Sequence, residues 1–163
     1  MKYLLPAGLT VIVLVLGQFF LQHETVNVER VVDGDTVDVE NDTVRFIGID
    51  TAETSNFTEN KPGEYGLENT GQNVECLDKY GLKASEFVKE NVGDNTALIY
   101  DRRSESRGDY GRKLAYVRDD GDLNRKLLVE GLARVYPSKF SRKNEFYFWQ
   151  HVARKTGRGI WSC

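Results

Sequence analysis

The chain has 163 residues, 40% of them hydrophobic and 11% aromatic, which suits one globular domain with a core plus an appendage. Its two cysteines cannot make a closed four-ligand zinc site, and neither lies near His23 or His151 in sequence, which argues against zinc. The net charge of −3 is unevenly spread: residues 24–101 carry 18 acids against 6 bases, and residues 102–163 carry 15 bases against 7 acids. Such halves point to a metal-binding end beside an anion-binding surface, two solvated faces being the plainer alternative.

Residues 1–22 are the appendage. Lys2 precedes an apolar run from Leu4 to Leu21, interrupted by Pro6, Gly8, Thr10, Gly17 and Gln18. The run reaches the roughly 17–25 residues that a bilayer span needs, and its densest part, Val11 to Leu16, has the length of a signal-peptide core. Residues 1–22 are therefore expected to be a cleaved signal peptide or a retained membrane anchor. Lys2 before the run and Glu24 after it favour a body, residues 23–163, on the outer side of the membrane.

Residues 25–32 alternate like a strand, and Asp33-Gly34 turns it. Residues 36–40 form a second strand, Asn41-Asp42 a two-residue hairpin loop, and residues 43–49 a third strand. Residues 55–77 are polar and aperiodic and predict a long loop. An amphipathic helix follows over 77–92, with Leu82, Phe87 and Val88 on one side and Gly93 as its stop. Strands at 96–100 and 113–117 flank a charged loop. Asp122 caps a helix that runs through Glu130 and ends at Gly131, residues 132–136 are extended, and a basic, aromatic helix spans 141–155. Five strands without a βαβ rhythm predict an α+β fold: a five-stranded OB-type β-barrel with about three helices outside.

The chemistry gathers in residues 33–54. Asp35 at the start of the second strand and Asp50 at the end of the third can meet across a hairpin, and the carbonyl of Thr51 can add a third oxygen for calcium. Arg45 and Asp50 are five positions apart, so a flat strand would point them to opposite faces; a bulge at Gly48 would bring them together. Glu53 is placed to take a proton from an attacking water. Arg45 and a second arginine, Arg112, offer planar guanidinium groups to a phosphate.

These residues stand in D-G-D-T-V (33–37), R-F-I-G-I-D-T-A-E (45–53) and D-Y-G-R-K-L-A-Y (109–116). With L-V-E-G-L-A-R-V (128–135) and the terminal G-I-W, the sequence resembles the staphylococcal-nuclease-like (thermonuclease) family over roughly residues 25–161. The resemblance implies an OB-fold barrel and calcium-dependent endonucleolytic cleavage of DNA and RNA by water attack at phosphorus, leaving 3′-phosphate ends. It implies Asp35, Asp50 and Thr51 as calcium ligands, Arg45, Glu53 and Arg112 as catalytic groups, and Tyr110 and Tyr136 near the substrate. Lys113, which follows the second arginine, joins them as a substrate-binding candidate. Single-stranded or locally melted nucleic acid is the expected partner, the chain is expected to be monomeric, and any membrane contact runs through residues 1–22. The expected location is extracellular or tethered to the outer face of the cytoplasmic membrane. Ala52 departs from the family's proline, which leaves the turn at Glu53 less stiff. A non-catalytic OB module holding single strands is the alternative, and it predicts loss of one or more of the five groups Asp35, Arg45, Asp50, Glu53 and Arg112, all of which are present.

In an exported body, Cys76 and Cys163 are expected to form one disulfide, the other reading being two free thiols. Asn41-Asp42-Thr43 and Asn56-Phe57-Thr58 match the glycosylation sequon. Phe146, Tyr147, Phe148 and Trp149 at helical spacing are expected to face the core rather than nucleic-acid bases.

Overall fold

The structure, a computed structural model, describes residues 23–54 and 60–163. The segment expected as signal or anchor and the sequon at Asn56 lie outside the described residues. Among the described residues the fold is α+β, with a mixed sheet and three α-helices. Its strands are β1 (His23–Val26), β2 (Val28–Val31), β3 (Thr36–Val39), β4 (Asp42–Phe46), β5 (Ile49–Thr51), β6 (Thr96–Ile99), β7 (Lys113–Asp119), β8 (Gly121–Asp122) and β9 (Ala133–Val135). The helices are α1 (Gly71–Asn91), α2 (Leu123–Val129) and α3 (Lys143–Lys155).

Among the described residues the expected five strands become nine: two of them break, β8 is added at the Gly121 turn, and the extended stretch 132–136 becomes β9. The first splits at Asn27, and the third splits at Ile47-Gly48 into β4 and β5. Hydrogen bonding runs in the order β1-β6-β7-β4-β3-β2, with β8 on β7, while β5 and β9 form a separate ladder. The barrel expected from the sequence is thus not closed by hydrogen bonds. Its two end strands, β1 and β2, are instead consecutive in the chain. All the sheet pairings are antiparallel except β4–β7, which is parallel and pairs Arg45 with Leu114.

Gly48 makes the second break possible. Its φ is +77°, and a Cβ there would lie 2.7 Å from the Phe140 ring, so both the turn and the packing require glycine. Buried Asn124 fixes the same corner: its side chain accepts from Val117 N and donates to the Ile47 carbonyl, each at 2.9 Å. The break re-phases the chain, so that Arg45 on β4 and Asp50 on β5 come to one place.

The core lies between the sheet and the helices, with Val37, Val44, Phe46, Leu98, Val117, Leu127 and Phe146 fully buried. Each such side chain contributes on the order of 1.5–3 kcal/mol by leaving water. Helix α1 begins six residues before its expected start, capped by the Thr70 hydroxyl, which accepts from Asn73 N. The predicted 55–77 loop is therefore shorter and contains a 3-10 turn at Pro62–Tyr65. Leu82 faces solvent; Leu77, Ala84 and Val88 make the buried side. In α3 the aromatic run divides: Phe146 is core and Trp149 packs against it, whereas Tyr147 and Phe148 are exposed. A disulfide joins Cys76 in α1 to the terminal Cys163, beside a small cluster of Ala52, Tyr65, Leu77 and Ile160. Among the described residues, no helix is long and apolar enough to cross a membrane.

Candidate active site

Neighbours on paired strands share a face, and so do residues two apart on one strand. Arg45 pairs with Leu114, and Arg112 sits two residues before Leu114 with extended backbone, so both arginines point to one side. Arg45, Asp50, Glu53, Tyr110, Arg112 and Tyr136 all line one cleft of about 620 Å³. Asp35 lies beneath it, 2% exposed.

Arg45 bridges the two aspartates. Its Nη1 donates to Asp35 Oδ1 and its Nη2 to Asp50 Oδ1, both at 2.6 Å. Asp35 also accepts from the Thr36 hydroxyl at 3.0 Å and from the Thr51 amide at 3.0 Å. The amide of Thr51 is thus what meets Asp35. Burial pushes the Asp35 carboxyl well above the usual range, and the Arg45 charge offsets only part of that. Arg45 itself is kept cationic: burial opposes its charge, but Asp35, Asp50 and Asp33 outweigh it. The donors gathered here are all oxygens, and the buried carboxylate is short of positive charge, so the pair suits a hard cation. Among the described residues no group of three or more His, Cys, Asp or Glu is poised for a metal, so two carboxylates would have to be completed by backbone, water or phosphate oxygens.

Glu53 is half-buried on the cleft wall. Its backbone is stapled by buried Asn60, whose Oδ1 accepts from Glu53 N at 2.8 Å and whose Nδ2 donates to Glu53 O at 3.2 Å and to Asp78 Oδ1 at 2.8 Å. Helix α1 presses on the same turn: a Cβ on Gly81 would lie 2.7 Å from the Ala52 carbonyl oxygen. These contacts hold the turn where Ala52 lacks proline's stiffness.

The opposite wall is looser. Arg112 donates Nε to the Asp109 carbonyl at 3.3 Å and lies 5.6 Å from the centre of the Tyr110 ring, which is 96% exposed. Tyr136 stands near Arg45, 5.8 Å from its guanidinium carbon to the ring centre. Lys113 is the one candidate placed elsewhere. Its Nζ pairs with Asp42 at 3.0 Å and Glu24 at 3.4 Å, because the strand alternation that sends Arg112 into the cleft sends its neighbour away.

Three residues of the site were not anticipated from sequence. Arg134 faces Asp50 across the β5–β9 ladder, forms an ion pair with its Oδ2 at 2.8 Å and donates to Glu64 Oε2 at 2.6 Å, with its guanidinium over the Tyr65 ring. Asn60 and Glu64 come from the segment read as a featureless loop. Arg134 did carry a signal, a lone arginine inside the apolar L-A-R-V run, but nothing local said which strand it would meet.

The staphylococcal nuclease homologue family matches residues 43–163. A thermonuclease of Staphylococcus hyicus is 37% identical over 150 residues, covering 85% of this chain and 76% of that protein. An uncharacterised protein of Methanocaldococcus jannaschii is 34% identical over 153 residues, with 86% and 73% covered. Endonuclease YncB of Bacillus subtilis is 34% identical over 151 residues, covering 86% of this chain and 64% of its own. A match over most of the chain, running through the cleft's arginines, Asp50 and Glu53, leads to one conclusion: the chain belongs to the staphylococcal nuclease homologue family.

Proposed function

We propose that this protein is an exported, calcium-dependent endonuclease that hydrolyses phosphodiester bonds in DNA and RNA and leaves 3′-phosphate ends. The observation that carries the reading is a single arginine, Arg45, clamped between two carboxylates at the floor of a cleft whose other wall offers Arg112. Relatives named thermonuclease and endonuclease support it. Asp35 and Asp50, with a backbone oxygen at Thr51, would hold the calcium ion. When bound, that ion supplies positive charge against the phosphate and its leaving oxygen. Glu53 takes a proton from the attacking water. Arg45 and Arg112 hold the non-bridging phosphate oxygens and stabilise the charge that grows on them. Tyr110 and Tyr136 offer faces for the flanking bases, which favours unpaired strands. Export rests on the apolar segment 1–22 and agrees with the Cys76–Cys163 disulfide.

The test is a digest of single- and double-stranded DNA and RNA by the full chain, with calcium and with a calcium chelator. Internal cuts with 3′-phosphate ends that need calcium are expected. Equal cutting under chelation overturns the calcium assignment, and no cutting of any of the four substrates overturns the nuclease reading.

A further inference from the structure

We propose that a basic track leads out of the cleft along β7 toward α2 and α3 and carries the backbone of a single nucleic-acid strand away from the scissile bond. The proposal rests on the nuclease reading and extends it to how much of the substrate is held. Arg103, Ser138 and Lys139 line the cleft and also an adjoining pocket that reaches Lys143. The next residues on both segments, Arg102 and Ser141, wall a further cavity of about 490 Å³ whose far side is Arg118 and Arg125. The third hollow is thus lined by the residues next in sequence to those that line the second.

Beyond the cleft, three acids along this path, Asp101, Asp122 and Glu145, are already engaged. Asp101 sits where the segments meet, and its two oxygens accept from Arg103 N, the Ser141 amide, the Ser141 hydroxyl and the Tyr116 hydroxyl. These bonds fasten the 101–103 loop to the start of the 141 segment and so bring their cations side by side. Asp122 and Glu145 are both held by Arg142. By contrast, Arg118, Arg125, Lys139 and Lys143 form no ion pair among the described residues, and the first three are exposed. Elsewhere in the same basic half, Arg107, Lys113 and Arg134 are all paired.

A row of cations without ion-pair partners, beside acids that already have hydrogen-bond or ion-pair partners, fits successive phosphates. Arg112 and Arg118 stand at opposite ends of β7, six residues or about 20 Å apart. That distance exceeds one nucleotide and lies within the span of about 4–16 nucleotides that OB-type surfaces hold. A single strand is the occupant because the cleft end of the track exposes Tyr110 and Tyr136 to unstacked bases.

The test compares the full chain with a R118Q/R125Q/K143Q variant, none of whose substituted residues lines the cleft. Binding of a labelled oligothymidylate of about 12 nucleotides is measured by anisotropy under chelation across a salt series. Cleavage of a dinucleotide is measured with calcium. Each phosphate contact with a single strand contributes about −0.7 to the slope of log K against log salt, so the variant's slope should shrink by about 2. Affinity for the long strand should fall about tenfold or more at low salt, with dinucleotide cleavage unchanged. An unchanged slope overturns the track, as does an equal loss on the dinucleotide. Should the triple variant lose its fold, R118Q and R125Q singly should each lower the slope by about 0.7, and unchanged slopes in both again overturn it. Failure of the unsubstituted chain to cut either substrate sinks the nuclease reading instead, because the salt slope is read without cleavage.

Discussion

The two walls of the cleft are built differently. On the β3–β5 side, Asp35, Arg45, Asp50, Arg134 and Glu64 form an unbroken chain of ion pairs, and the Arg45 side chain is only 18% exposed. On the 109–112 side, Tyr110 is almost fully exposed in a left-handed turn with φ 61°, and Arg112 leans on one carbonyl. The first wall is set before substrate arrives. The second leaves an arginine open to a phosphate at little cost in displaced bonds. The pairing of a braced wall with an open one separates residues that serve folding and chemistry together from those that serve chemistry alone.

Replacing Arg45 or Arg112 by methionine puts that contrast at risk most directly. Arg45→Met should lower kcat by roughly 10²-fold or more and also destabilise the fold by about 3–5 kcal/mol, because Asp35 is left buried without its partner. Arg112→Met should lose comparable activity while stability stays within about 0.5 kcal/mol. Urea unfolding alongside initial rates checks both. Matching destabilisation in the two variants would show that the open wall is not open.

Arg134→Met probes the far end of the braced wall. It strips Asp50 of one partner and Glu64 of its 2.6 Å pair. A loss of about 1–3 kcal/mol is expected from the orphaned groups, with kcat/KM falling about tenfold as Asp50 is less firmly aimed. Unchanged kcat/KM would confine Arg134 to folding. Asn60→Ala should cost less, about 1–2 kcal/mol, by freeing the Glu53 backbone. Adding Ala52→Pro to that variant should return part of the lost stability, measured by the same urea unfolding, since proline stiffens the same turn by another route.

What the sequence revealed follows the distance between partners. Asp35, Arg45, Asp50 and Glu53 lie within one hairpin and its exit, so their order along the chain already implied their meeting, and Gly48 marked the place where the strand had to bend. Arg112 was readable because a glycine and a strand entry flank it. Arg134, Asn60 and Glu64 were not readable, because each meets its partner through a ladder or loop that no local pattern specifies. The start of α1 was hidden because its first turns, Gly71 to Cys76, hold one aliphatic side chain, Val74, and none that is fully buried, and periodicity appears only once Leu77 reaches the core. Lys113 was misplaced for the opposite reason: adjacency to Arg112 suggested a shared role, but adjacent strand residues face opposite sides.

Asp101 links the braced architecture to the exposed track, and it gives the smallest expected effect. Burial works against its charge, yet the bonds from Ser141, Tyr116 and Arg103 outweigh burial and hold its carboxyl below the usual aspartate range. Because the folded value is the lower one, the charged group stabilises the fold above the unfolded value of about 4, and that contribution is lost as pH falls through the folded value. Asp101→Asn should therefore lower stability by about 1 kcal/mol at neutral pH, and the gap from the unsubstituted protein should narrow as pH falls below about 4. Thermal midpoints from pH 7 down to pH 3 test this. A gap that has not narrowed by pH 3 would mean that packing, and not the carboxylate's charge, fastens the 101–103 loop to Ser141. In that case the same variant should keep its affinity for a long strand, since the cations of the track would still be held side by side.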